Sequence, residues 1–329
     1  MLDLSVNYLG IKLENPIVVA SSGLSGSIEK IKTLEANGAA AIVLKSLFEE
    51  QILAESAHNI SKDETFGYDV HDYISSYIRD NSIGDYIQHI KNAKAAVSIP
   101  VIASINCVDA QEWMNWAKKF EEAGADAIEI NMSVLPSDHN RTSAEAEKAV
   151  FEIIEAVRKV ISIPIALKIS YYSASLANFV KTISWTRNVD GIILFNRYYN
   201  PDIDIENLKI TSSDVFSSPS DNANTLRWVS ILSQVIDEKV DLIATTGIHS
   251  GEDIIKQLLA GATAVQLASA IYIHGPEIIM SMLTIIEDWM KRHNYNSINE
   301  FRGKLAFDPD KNTVAFERIQ FMKHFGGIE

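Results

Sequence analysis

The chain has 329 residues, with 29 Lys and Arg against 43 Asp and Glu for a formal charge of −14, and 47% of it is hydrophobic. Cations are too few to neutralise phosphates, which sets aside nucleic acid and anionic membrane surfaces as partners. The single cysteine, Cys107, excludes an intramolecular disulfide and any metal site built from several thiolates.

The opening stretch, MLDLSVNYLGIKLENP, has no basic region leading into a long apolar run, and nowhere do about 18 uncharged apolar residues follow one another. The expectation is a cytoplasmic protein in a reducing compartment, with no membrane segment.

From there on, short β-branched runs alternate with segments of helical spacing. Strands are predicted over residues 17–22, 40–46, 101–106, 127–133, 165–170, 191–196, 241–247 and 264–270. Each begins as a continuous apolar run, as a parallel strand buried on both faces should. Helical spacing is clear over 109–123 and 144–161. Eight such units predict an α/β protein of the (β/α)8 TIM-barrel class, a single domain over residues 1–329. An open doubly wound sheet is the alternative, and no GxGxxG or GxxxxGK[ST] stands in the sequence to support its nucleotide-binding form.

Two segments break the rhythm, 47–83 and 197–221, and both follow strand ends, where a barrel builds its active site. The second is rich in Ser, Asp and Asn and reads as a loop that could serve as a lid. Almost every predicted strand ends in small or polar residues: Ser21 and Ser22, Lys45 and Ser46, Asn106, Asn131 and Ser133, Lys168, Asn196, Thr246 and Gly247, Ala268 and Ser269. Lysines leaving apolar strands need partners, either rim carboxylates or a ligand. Asparagines offer a donor and an acceptor, which suits the edge of a heterocycle. In ATTGIHSGEDIIKQLLAGATAVQLASAIYIHGP, a glycine directly before a helix start points to an anion site, as a barrel places its phosphate after strands seven and eight. Plain capping by His249 and Ser250 is the alternative.

On these residues the sequence resembles the dihydroorotate dehydrogenases, particularly their soluble class, and more distantly the flavin domain of dihydropyrimidine dehydrogenase. The likeness runs through NPIVVASSG, AIVLKS, IEINMS, ALKIS, LFN, the long final motif and YNSINEFRGKL. It implies FMN across the strand ends, held by Ala20, Ser21, Lys45, Ser46, Asn131, Lys168, Asn196, Gly247, Ala268 and Ser269. It further implies catalytic roles for Lys45, Lys168, Asn131 and Asn196, dihydroorotate or a related dihydropyrimidine as substrate, fumarate as a soluble electron acceptor, and a homodimer. Lys168 would stabilise the negative charge that hydride brings to the flavin.

The sequence also departs from the family pattern. Where the family carries its proton-abstracting Cys or Ser after the fourth strand, this chain has Val134, which accepts no proton; Ser133, Asp138 and His139 are the nearby substitutes. The Asn-rich substrate loop has no counterpart between residues 63 and 82, Ser217 and Ser218 replace a glycine pair, and Arg197 follows the sixth-strand Asn where the family has a small hydroxyl residue. With Asn131 and Asn196, Arg197 is a candidate for substrate binding, able to grip a carboxylate or phosphate through its fork. Two other readings of the same residues are a Schiff-base aldolase with Lys168 as nucleophile and a flavin-binding sensor without catalysis.

Overall fold

The computed structural model describes residues 2–48, 68–106, 110–132, 137–198, 201–212 and 214–308. Eight parallel strands close on themselves: β3 (Ile17–Val19), β4 (Ala41–Val43), β6 (Val101–Asn106), β7 (Ala127–Asn131), β8 (Ile165–Ile169), β9 (Gly191–Leu194), β12 (Asp241–Thr245) and β13 (Ala264–Leu267). Around the ring each strand pairs with the next in chain order, and β13 pairs with β3, so the predicted barrel is the one observed. A two-residue strand, β5 (Leu47–Phe48), extends the β6 edge.

The ladders stop short of the sequence expectation. β3, β4 and β13 end three residues early, β7, β9 and β12 two, and β8 one, because the diverging backbones lose their partners once the apolar run is over. Ser21, Ser22, Lys45, Ser46, Asn196, Thr246, Gly247 and Ala268 therefore follow their strands, whereas Asn106, Asn131 and Lys168 remain within theirs.

Helices α1 (Ile28–Ala36), α2 (Tyr68–Ala96), α3 (Ala110–Glu122), α4 (Ser143–Arg158), α5 (Leu176–Thr186), α6 (Asn222–Leu232), α7 (Gly251–Ala260), α8 (Ser269–His274) and α9 (Ile278–His293) accompany the strands. On α3 the residues Trp113, Trp116, Ala117 and Phe120 recur at helical spacing and are buried against the sheet. Burial of one large apolar side chain such as Phe120 stabilises by about 1.5–3 kcal/mol. Thr142 and Glu145 form a capping box that starts α4.

A device not apparent in the sequence recurs twice. Glu35 at the end of α1 accepts from the Ser98 N–H and hydroxyl at 2.7 Å each and from the Ile99 N–H at 3.3 Å. Glu121 at the end of α3 does the same with Ser162 and Ile163, at 2.8, 2.7 and 3.1 Å. Each carboxylate clips the turn that leads into a following barrel strand.

The bottom of the barrel is closed by an N-terminal hairpin, β1 (Val6–Tyr8) and β2 (Ile11–Leu13), which the sequence reading did not anticipate. Leu9, at its turn with φ 54°, is buried, and its N–H donates to Asp241 at 2.6 Å. A Cβ on Gly191 would come within 2.3 Å of the Leu9 side chain, so β9 begins with glycine to admit the plug.

Segment 197–221 is not all loop, which corrects the sequence expectation. Within it β10 (Pro201–Asp204) and β11 (Lys209–Ser212) form an antiparallel hairpin with Ile203 opposite Ile210. The Ser, Asp and Asn content hid a short alternation of isoleucines. Of segment 47–83, the described part holds β5 and the start of α2.

Candidate active site

A cavity of about 520 Å³ opens at the C-terminal ends of the barrel strands. Of the residues singled out in the sequence, Ala20, Ser21, Lys168, Asn196, Arg197, Gly247, Ala268 and Ser269 form part of its wall. Ser46 and Asn131 are buried just behind. The Ser21 and Ser46 hydroxyls lie 2.9 Å apart, and Ser46 is 2.7 Å from Ser104. Asn131 donates to Ser46 at 3.5 Å and accepts from Asn196 Nδ2 at 2.8 Å. One hydrogen-bonded chain thus crosses from the first strand to the sixth beneath the cavity.

Other residues fall elsewhere. Lys45 is exposed and is not part of the cavity wall. Asp138 and His139 are exposed, with the Asp138 carboxylate accepting from the Asn140 N–H at 2.9 Å. Ser133 and Val134 lie outside the described residues. Met132, which leads into their loop, lines a second cavity of about 480 Å³ with Ile169, Tyr171 and Phe179. Tyr171 donates to Tyr172 at 3.2 Å, and that bond, with burial, pushes its phenol up to about 12.

The loop after β12 is tightly specified. Thr246 and Gly247 both have φ 77°, and a Cβ on Gly247 would stand 2.1 Å from the Asn222 backbone nitrogen. Thr246 Oγ1 donates to the Phe195 carbonyl at 3.0 Å, tying this loop to the end of β9. Ser250 caps α7 by accepting from the Asp253 N–H, and the Asp253 carboxylate takes the His249 N–H at 3.2 Å. Among the described residues, the backbone N–H groups of Gly247, Ile248, Ala268 and Ser269, all in the cavity wall, have no hydrogen-bond acceptor.

A flap folds over one side. Ser217 donates its N–H to Ser269 Oγ at 3.0 Å, and its hydroxyl is 3.3 Å from His249 Nε2. Phe216 stacks on Tyr272 with centroids 5.4 Å apart. Arg197 holds the same flap: Nη1 and Nη2 donate to the Val215 and Asp214 carbonyls at 2.9 Å each, with Asp221 at 3.9 Å from Nε. Two of its donors are therefore committed to protein.

The partner of Lys168 was missed in the sequence. It is no rim carboxylate but Glu129, fully buried inside the barrel, with Oε1 at 3.8 Å from Lys168 Nζ. Gln266, also overlooked, donates to Glu129 Oε2 at 2.7 Å. The signal was available: IEIN and VQLA each set one polar residue at the centre of an apolar strand.

The sequence model of the dihydroorotate dehydrogenase family matches residues 3–290. The chain is similar to a protein of Thermoplasma acidophilum named dihydroorotate dehydrogenase B (NAD(+)), catalytic subunit, 27% identical over 305 residues that cover 92% of this chain and 99% of that one. Proteins of the same name from Thermoplasma volcanium, 27% identical over 92% of this chain and 98% of theirs, and Methanocaldococcus jannaschii, 25% over 88% and 94%, are likewise similar.

Proposed function

The chain belongs to the dihydroorotate dehydrogenase family of oxidoreductases acting on CH–CH groups, and from that premise we propose that it binds FMN in the cavity over the barrel mouth and oxidises a dihydropyrimidine-like substrate. The observation that carries this reading is the set of free N–H groups at Gly247, Ile248, Ala268 and Ser269. Four donors in one wall, with a glycine at 247 where a Cβ would collide with backbone, suit a phosphate.

The remaining donor set fits the rest of FMN. Ala20 and Ser21 offer a small, close edge, and Asn196 and Asn131, aligned by their mutual hydrogen bond, present amide donors and acceptors. FMN, when bound, supplies a two-electron acceptor. Lys168 holds an ammonium in the wall, where fixed positive charge stabilises anionic character without waiting for solvent to reorganise. Lys45, exposed at the rim, would reach such a ligand only from its edge. Asn131 and Asn196 are proposed to orient the substrate, with Arg197 clasping the flap beside it, and proton removal in place of Val134 then falls to Ser133 or His139.

The pairing of Lys168 with a buried carboxylate disfavours the aldolase reading, because a Schiff-base nucleophile must be a neutral amine. For electrons leaving the site, the resemblance implies fumarate, whereas the relatives' names carry NAD(+) and the word subunit. The acceptor we favour is accordingly soluble and linked to NAD(+), through a partner polypeptide. No helix among the described residues is long and apolar enough to cross a membrane. The implied homodimer finds support in the β10–β11 hairpin, whose Ile203, Ile205, Leu208 and Ile210 are all exposed.

The test is the ligand itself. Purified protein should be yellow and release FMN, not FAD, on heating, and anaerobic mixing with dihydroorotate or a related dihydropyrimidine should bleach it. Absence of bound flavin after reconstitution would end the cofactor reading, and flavin that no reduced pyrimidine or nicotinamide bleaches would favour a sensor.

A further inference from the structure

Glu129 sits at the centre of β7, in the sequence Ala-Ile-Glu-Ile-Asn, with no exposed surface. Removing a carboxylate from water costs several kcal/mol, and a buried ion pair is often no more stabilising than apolar residues of the same shape. Stability alone is therefore a poor reason for an acid at this point. Its surroundings are specific. Oε2 accepts from Gln266, Oε1 has no hydrogen bond, and the nearest cation is Lys168, whose side chain is only 10% exposed.

The pair spans the floor of the cavity. Lys168 is in the cavity wall and Glu129 is not. Period-two alternation along β7 puts Glu129 on the same side as Asn131, the residue bonded to Asn196 at the mouth. Below lies Tyr8 of the N-terminal plug, also fully buried, its phenol pushed up far above its ordinary range first by burial and then by the Glu129 carboxylate. The barrel interior thus carries polar groups from its closed end to its open one, among which Glu129 and Lys168 face each other as an ion pair.

We infer that Glu129 acts through Lys168 by charge: its carboxylate, 3.8 Å from the ammonium, offsets part of that charge and so sets how strongly the site favours reduced over oxidised flavin. This rests on the reading that FMN occupies the cavity. The physical basis is a sign argument. A cation beside the flavin favours the reduced, anionic form, and an anion behind that cation weakens the preference. The two residues must therefore move the flavin equilibrium in opposite directions, although they are partners in one ion pair. A purely structural role would not separate them by sign.

The experiment equilibrates FMN-loaded protein with a reference dye of known potential. Glu129→Gln keeps the side chain's length and an acceptor for Gln266 while removing the charge. It should raise the ratio of reduced to oxidised flavin about tenfold at a fixed dye ratio, and Lys168→Ala should lower it by a similar factor. Glu129→Asp, which withdraws the carboxylate by one methylene, should shift the ratio in the same direction as Glu129→Gln but less, and serves if the Gln variant does not fold. A wild-type ratio in both Glu129 variants, or a shift of the same sign as in Lys168→Ala, overturns the inference. Wild-type protein that takes up no FMN overturns it together with the cofactor reading, whereas flavin uptake with unmoved ratios overturns it alone.

Discussion

Arg197 donates from Nη1 to the carbonyl oxygen of Val215 at 2.9 Å, across a flap that closes one side of the cavity. Its second nitrogen holds Asp214, so the guanidinium fork serves as a clasp on residues 214–217. The sequence offered this arginine as a grip for a substrate anion. In the structure the flap already occupies two of its donors.

Arg197→Ala should free the flap and, with it, the Ser217 contact to Ser269 beside the loops proposed to hold the FMN phosphate. Loss of two hydrogen bonds from a charged donor predicts FMN release about tenfold faster or more. Arg197→Lys, with a point charge in place of a fork, should not restore the wild-type rate. Stopped-flow or fluorescence measurement of flavin release checks this. Unchanged release with weakened binding of anionic substrates would return Arg197 to the substrate.

Glu35 and Glu121 give the stability a defined pH dependence. Burial pushes both carboxyls up, but the serine hydroxyl and two backbone N–H groups on each outweigh it and hold them below the usual carboxylate range. A lowered folded value means the contribution is complete above the unfolded carboxylate range near 4.3 and fades as pH falls through the folded value. Glu35→Gln and Glu121→Gln should each cost about 1 kcal/mol at neutral pH and less in acid, so urea curves of variant and wild type converge on acidification. A gap of constant size down to acid would show that charge is not what the clips use.

Much of this architecture was readable beforehand because strands buried on both faces are mostly continuous apolar runs, as in Ile17–Val19 and Gly191–Leu194. Their ends were less readable, since pairing stops where backbones diverge and side-chain type does not report that. Gly247 stood out as a glycine before a helix start, whereas Gly191 did not, because the need for it comes from Leu9, distant in sequence. Glu129 escaped for a related reason. A lone acid inside an apolar strand has meaning only when its partner is known, and Lys168 lies on the neighbouring strand.

The proton-transfer residue is the remaining question, and it turns on Val134. In the family pattern this position after the fourth strand carries the base that removes the substrate's proton as hydride leaves, and a valine side chain has no lone pair to accept one. Lys168 is matched to Glu129, and Asp138 is exposed and bonded to its own turn, so neither stands ready as a replacement. The hydrogen-bonded chain proposed to support the flavin, from Ser21 through Ser46 and Asn131 to Asn196, is unbroken. Loss of a positioned general base costs roughly 10²- to 10⁴-fold in rate, so dihydroorotate oxidation should be slow by about that factor and limited by proton transfer. Val134→Cys should recover part of it, seen as faster flavin bleaching by dihydroorotate and a smaller dependence of the rate on deuteration at the carbon that loses the proton. Full family-level turnover in the unaltered protein that survives a variant combining Ser133→Ala, Asp138→Asn and His139→Gln would defeat the argument, because none of the named substitutes would then be left to account for it.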